Sequence, residues 1–354
     1  MARFPRMSVI VVLQKGMGLM NRTRYSILLV LLLALIVQVY PMTAQSERLV
    51  VYSGRSEGLI QPLLQQFTRD TGIEVEVRYG NTAEMAATIL EEGSNSPADV
   101  FIAQDAGALG ALAAAGRLRP LPSDILERVP TQFESASGEW VGLSGRARVL
   151  VYNTNLVNAD QLPGSLLDLT GNDWQAKVGW SPQNGSFQAQ VTAMRILLGE
   201  DAARQWLEGM IANGAASYPN NDSIVQAVID GEIAAGLVNH YYVFRFKTQF
   251  PDAPINLHYF AAGDVGALIN VAGAGVLNTS RHPGLAQRLI LYLLGREAQA
   301  YFAQETNEYP LVAGVELRPD IPALDSIEAP ALDLSQLADL QATLDLLRDT
   351  GALP

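Results

Sequence analysis

The chain has 354 residues, no cysteine, three histidines and a formal net charge of −12. An acidic balance of that size repels nucleic acid and anionic membranes. The missing thiols exclude disulfides and thiolate metal sites, so stability has to come from core burial.

The chain opens on a segment unlike the rest. Asn21-Arg22-Thr23-Arg24 is basic, residues 27–39 are almost wholly apolar, and Pro41-Met42-Thr43-Ala44 leads out through small and polar side chains. That order is the order of a secretory signal peptide, expected to cover residues 1–44. This run of thirteen residues falls short of the roughly twenty that a bilayer span needs. An uncleaved anchor is the alternative, because Met42 suits a cleavage site poorly. Met20 reads as the true start, which makes residues 1–19 a start-site artefact. The segment holds five of the 24 basic residues and none of the 36 acidic ones, so the remainder carries −17. Such a surface favours solubility and attracts cations. The roughly 310 residues that follow suffice for two lobes of ordinary domain size.

Strand and helix patterns then alternate. Leu49-Val50-Val51-Tyr52 reads as a strand, and residues 58–70 place Leu59, Leu63, Leu64 and Phe67 on one side of a helix. Ile73-Glu74-Val75-Glu76-Val77 alternates with period two, as strands do. Thr82 is placed to cap a helix running to Leu90, and residues 98–103 form another strand. This βαβαβ rhythm predicts an α/β layer with parallel strands. Residues 148–152 read as a strand where the chain crosses to a second α/β unit. That unit has a strand at Val178-Gly179-Trp180, a helix over 188–198 and a strand over 233–238. Gly275-Val276-Leu277, a helix over 283–294 and an amphipathic helix over 334–347 close the chain.

Asn239-His240-Tyr241-Tyr242 follows the 233–238 strand directly. In open α/β sheets, ligands bind outside the carboxyl ends of strands. Two adjacent tyrosines there can donate phenolate oxygens to a hard trivalent cation, whose charge displaces protons otherwise lost near pH 10. The competing reading has one ring in the core and the other covering the sheet edge. Gln183-Asn184-Gly185-Ser186 precedes a helix, where free amides can hold an anion; an ordinary N-cap is the alternative.

Several segments, in order and over residues 48–350, resemble the bacterial periplasmic ferric-ion-binding proteins. They are Leu49-Val50-Val51-Tyr52-Ser53-Gly54, Phe67-Thr68-Arg69-Asp70-Thr71-Gly72-Ile73, Pro97-Ala98-Asp99-Val100-Phe101, Leu143-Ser144-Gly145-Arg146-Ala147-Arg148-Val149, Asn221, Asn239-His240-Tyr241-Tyr242 and Glu308-Tyr309-Pro310-Leu311. The resemblance implies an α/β, type II periplasmic-binding-protein fold, with two lobes closing over a cleft. Lobe 1 would hold residues 45–148 and about 270–315; lobe 2 would hold about 149–269 and 316–354. It further implies the periplasmic component of an ABC importer, monomeric and partnered by an inner-membrane permease. Tyr241 and Tyr242 would coordinate Fe(III), and carbonate or phosphate would serve as synergistic anion at Asn184, Gly185, Ser186 and Asn221.

Other ligand positions depart from that family. Ser56 stands where one branch has histidine, and Gln104 where it has glutamate; Glu57 and Phe187 stand where a second branch has tyrosines. A ferric ion on two phenolates needs further anionic oxygen, for which Glu57 and Asp105 are the candidates. Arg55 is a candidate for pairing with carbonate through its fork, or else an exposed surface residue. Two alternatives remain. One is a protein of the same fold for a phosphonate, polyamine or other organic ion. The other is a serine hydrolase, because Gly54-Arg55-Ser56-Glu57-Gly58 fits the nucleophile-elbow pattern.

Overall fold

The computed structural model describes residues 48–354; the expected signal segment lies outside them. The first part runs β1 (Arg48–Ser53), α1 (Glu57–Thr71), β2 (Glu74–Tyr79), α2 (Thr82–Glu92), β3 (Val100–Ala103) and α3 (Ala106–Ala114). As the alternation predicts, β1 pairs in parallel with both β2 and β3. Helix α1 buries Ile60, Leu63, Leu64 and Phe67, one helical stripe. It stops at Gly72, whose left-handed φ of 73° lets its N–H bond back to Thr68. The cap of α2 is Asn81, not Thr82, and it forms a capping box with Glu84. The Thr82 hydroxyl instead donates to the Gly54 carbonyl and accepts from the Gln104 N–H, both at 3.2 Å.

Next come β4 (Val141–Asn153), β5 (Val178–Trp180), α4 (Gly185–Leu198), α5 (Glu200–Ala212), β6 (Ala216–Ser217), α6 (Asn221–Ile229), β7 (Ala235–Asn239) and α7 (His240–Gln249). The remainder is β8 (Ile255–His258), β9 (Ile269–Val276), α8 (Pro283–Leu293), α9 (Arg296–Gln304), β10 (Tyr309–Pro310) and α10 (Leu340–Asp349). The sheet order is β2-β1-β3-β9-β4-β7-β5-β6, with β8 and β10 also on β4. Strand β4 is far longer than 148–152: it has 13 residues and every one is buried. Its first part pairs with β9 from Val141 to Ala147, and its second with β7 from Arg148 to Tyr152. The chain therefore changes ladders between Ala147 and Arg148. The closing helix is also not continuous: a 3-10 turn at Leu334–Ala338 precedes α10. Among the described residues no helix is long and apolar enough to cross a membrane.

Two polar braces tie β10 to this frame. The Arg55 fork donates to both Glu308 oxygens, at 3.1 and 2.6 Å, with both side chains fully buried. Burial by itself would raise the Glu308 pKa, but the charge and hydrogen bonds of Arg55 prevail and hold it below the usual carboxylate range. Beside it, the His240 ring stacks on Tyr309 with centroids 4.5 Å apart and accepts the Ala147 N–H at Nδ1. Removing one partner of a buried pair leaves a charge in low dielectric. Glu308→Ala should therefore lose about 3–5 kcal/mol of stability, read from urea denaturation; a loss below about 1 kcal/mol would show the pair to be dispensable.

Burial pushes the His240 pKa down to about 4, outweighing the opposing pull of Glu308. The folded protein thus resists a proton that the unfolded chain accepts near pH 6.5. Stability contributed by the neutral ring is complete above pH 6.5 and is lost as pH falls toward 4. Between pH 7.5 and 5 the loss from this residue should be about 2 kcal/mol. Urea midpoints across that range check it, and the same slope in His240→Gln would contradict the assignment.

Candidate functional site

A cavity of about 500 Å³ opens where the carboxyl ends of β3 and β7 face the N-terminus of α4. Gln104, Asp105, Asn184, Gly185, Ser186, Tyr241 and Tyr242 all lie on its wall. The tyrosines begin α7 immediately after β7, so the strand's end fixes their place. Their rings stack with centroids 4.5 Å apart at 29°. Tyr241 is 3 % exposed, and its hydroxyl accepts from Asn239 Nδ2 at 3.3 Å and Gln104 Nε2 at 3.5 Å. Tyr241 is thus buried and Tyr242 half-buried, and both line the cavity. Burial raises the Tyr242 phenol well above its ordinary value, and Tyr241 adds to the shift. The Arg245 guanidinium lies 4.9 Å from the Tyr242 ring centroid and is ion-paired with Asp222.

Asn184 caps α4 in the ordinary way, its side chain accepting the Ser186 N–H at 3.0 Å. The helix begins at Gly185, three residues earlier than the apolar pattern indicates. Ser186 Oγ then accepts two further bonds, from Arg146 Nε at 3.2 Å and from Asn239 Nδ2 at 3.1 Å. With both lone pairs occupied, its own proton is free to be donated. Asn221 opens α6, next to Asn220 on the cavity wall, and is 1 % exposed with its side-chain nitrogen unpartnered.

The remaining candidates separate. Asp105 caps α3, its Oδ1 accepting the Ala108 N–H at 3.1 Å, and it faces the cavity while 7 % exposed. Burial raises its pKa; the Arg146 charge and the helix amides partly offset this. Glu57 is exposed in the first turn of α1 and is absent from the cavity wall. It acts on Tyr79 instead, whose phenol is pushed up to about 12 by burial first and by the Glu57 charge second. Arg55 is neither a surface residue nor a cavity residue, being fully buried on Glu308. Ser56 is on the wall at the N-cap of α1.

Sequence reasoning gave no role to Arg146 and Arg148, yet they organise the site. They lie on one face of β4, two residues apart. Arg148 donates through Nε to Gln190 and through Nη1 to Asn239, both at 3.1 Å. Arg146 Nη1 and Nη2 and Arg148 Nη2 are buried with no partner among the described residues. Burial, and then repulsion from Arg146, pull the Arg148 pKa down to about 9, which still leaves it charged at neutral pH. The readable signal was Arg-Ala-Arg inside an apolar strand, a pattern that costs too much to bury unless an anion or acceptor lies opposite.

Residues 95–333 match the family described as bacterial extracellular solute-binding protein. The "Fe(3+)-binding periplasmic protein" of Serratia marcescens is 34% identical over 308 residues, spanning 86% of this chain and 90% of that protein. The "Major ferric iron-binding protein" of Neisseria meningitidis serogroup A is 34% identical over 310 residues, spanning 86% of this chain and 92% of its own length. Among solved structures, iron-bound HitA from Pseudomonas aeruginosa superposes with a TM-score of 0.82 at 34% identity. That match covers 86% of this chain and 99% of that one.

Proposed function

We propose that this chain, which belongs to the bacterial extracellular solute-binding protein family, captures ferric iron for an ABC importer through the phenol oxygens of Tyr241 and Tyr242. It is a binding protein, not an enzyme, and it has the type II periplasmic-binding-protein fold. The observation that carries the iron reading is the stacked tyrosine pair at the start of α7, facing one cavity with the N-terminus of α4. No group of three or more His, Asp or Glu suited to a metal occurs among the described residues. A cation held here must therefore draw on phenol oxygens, an anion and isolated carboxylates, a hard oxygen set suited to a ferric ion. Asp105 is the further protein donor on the wall, and Glu57 drops out of the ligand set. An oxyanion at Asn184, Gly185 and Ser186, with Asn221 nearby, completes the coordination; carbonate, phosphate and a side-chain carboxylate all have suitable shape and charge.

The capture cycle rests on two lobes. Residues 45–148 with about 270–315 act as one, and about 149–269 with 316–354 as the other, the chain crossing between them along β4. They close over the ion, present both faces to an inner-membrane permease, and release the ion when they reopen. The working location is the periplasm, where the named relatives act. The relatives named above favour the metal over an organic ion. The hydrolase alternative has no base at hand: Ser56 lies on the cavity wall, but no histidine among the described residues lines it, and His240 is buried against Tyr309.

Ferric loading should produce a visible phenolate-to-iron absorption band that Tyr241→Phe or Tyr242→Phe abolishes. A protein that stays colourless with Fe(III) and bicarbonate or phosphate, yet is stabilised by an organic ion, would sink the iron reading. Each phenol must also shed a proton, so binding weakens in acid. Apparent affinity should fall roughly tenfold per pH unit for each proton released. Chelator competition at pH 7.5 and 6 measures it, and an unchanged constant would contradict phenolate ligation.

A further inference from the structure

The oxyanion at the α4 terminus need not come from solution. Of the carboxylates on the cavity wall, Glu84 is exposed and committed to its capping box, accepting the Asn81 N–H at 3.3 Å. Asp105 is different. Its Oδ1 is fixed by Ala108, while Oδ2 has no hydrogen bond among the described residues. That free oxygen points at α4: a Cβ built on Gly185 would sit only 3.4 Å from Oδ2. Gly185 is the first residue of a 14-residue helix, and its N–H likewise has no partner among the described residues. A free carboxylate oxygen and the positive end of a helix thus meet at the tyrosine cavity, an arrangement favourable to both. The charge on the far side agrees. Arg146 is fully buried, bonds Ser186 through Nε, leaves both Nη atoms unpartnered among the described residues, and places its positive charge where it acts on Asp105.

We infer that the Asp105 carboxylate occupies the anion seat at the N-terminus of α4, so that this chain binds ferric iron without a free carbonate or phosphate. The inference rests on the ferric reading above. One carboxylate then does two things: Oδ1 stays on its own helix, and Oδ2 bridges the α4 terminus and the metal. Neutral Gln104 beside it explains why the wall depends on Asp105 for that charge.

The test uses protein in CO2-free, phosphate-free buffer, with iron added as ferrous chloride and oxidised by air. Wild type should develop the phenolate band unaided, and adding bicarbonate or phosphate should change its affinity little. Asp105→Asn keeps a capping oxygen for α3 but loses the charge. Its anion-free iron affinity should fall by roughly 10- to 100-fold and recover on adding either anion. Asp105→Ser, which can also cap, should show the same requirement, and melting curves of the apo forms establish that all three proteins are folded. A wild type that needs added anion as much as the variants do overturns the inference while leaving the ferric reading intact. So does an Asp105→Asn protein that loads equally well without anion. A wild type that never develops the band under any condition defeats both.

Discussion

Two arginines buried without carboxylate partners among the described residues set the terms for everything around the cavity. A guanidinium removed from water costs several kcal/mol unless its donors are met, and Arg146 and Arg148 are 0 and 1 % exposed. Neutral acceptors meet part of the need: Ser186, Gln190 and Asn239 take one bond each. Three guanidinium nitrogens remain open, and they make the interior electropositive. The exterior has the opposite sign, with −17 beyond residue 44. The two do not cancel. Surface charges are screened over about 8 Å at physiological salt, whereas buried charges a few Å apart interact through an effective dielectric nearer 20. Near the tyrosines the arginines win, and phenolate, carboxylate or anion oxygen is what they stabilise.

Arg55 makes the contrast instructive. It has the same side chain and the same depth, yet its fork is closed on both oxygens of Glu308, and Thr306 donates to that carboxylate at 2.8 Å. A closed pair of this kind adds little net stability but fixes register. Here it sets β10 against β4, where Tyr309 lies opposite Gly145 and stacks on His240. His240 is the residue before the tyrosine pair, so a salt bridge outside the cavity governs where the phenols stand. Of the three arginines buried among the described residues, one builds the frame and two are left for the site.

Much of this was legible in the sequence, and the limits have physical causes. Helix α1 was readable from its buried stripe, β1 from its apolar run, and β2 from an alternation that leaves Val75, Val77 and Tyr79 half-buried. The length of β4 was not, since a strand buried on both sides shows no alternation to count. Thr82 looked like a cap by residue type, but Asn81 is equally suited and has Glu84 three residues on from it. The tyrosine pair stood out because it follows an apolar strand. Asp105 was found only as a charge one place from an expected ligand. Arg55 could not be assigned at all from local sequence, because Glu308 lies 253 positions away. Arg146 and Arg148 were in view, but nothing along the chain says what faces a side chain across a sheet.

Long-range contact also decides whether Asp105 and Gly185 meet. They head two different helices, α3 and α4, on opposite sides of the β4 ladder change. The C-terminal stretch touches both. A Cβ on Gly107 would lie 2.5 Å from the Leu337 carbonyl, so only glycine lets that backbone lie against the first turn of α3. A few residues later Thr343 shares a 2.7 Å hydrogen bond with Thr192 of α4, and Arg195 donates to both Thr343 and Asp339. Leu337, Leu340 and Leu344 form the apolar side of the cavity between these anchors. The spacing of the two helix termini is thus held by a segment remote from both in sequence. If the halves move apart when cargo leaves, the tail must yield at one anchor. The Arg195–Asp339 pair, whose carboxylate is exposed, is a weaker tie than the glycine-dependent packing on α3. The anchor on α4 is also the one linked to the site, because α4 carries Ser186, which accepts a hydrogen bond from Asn239 beside the tyrosines.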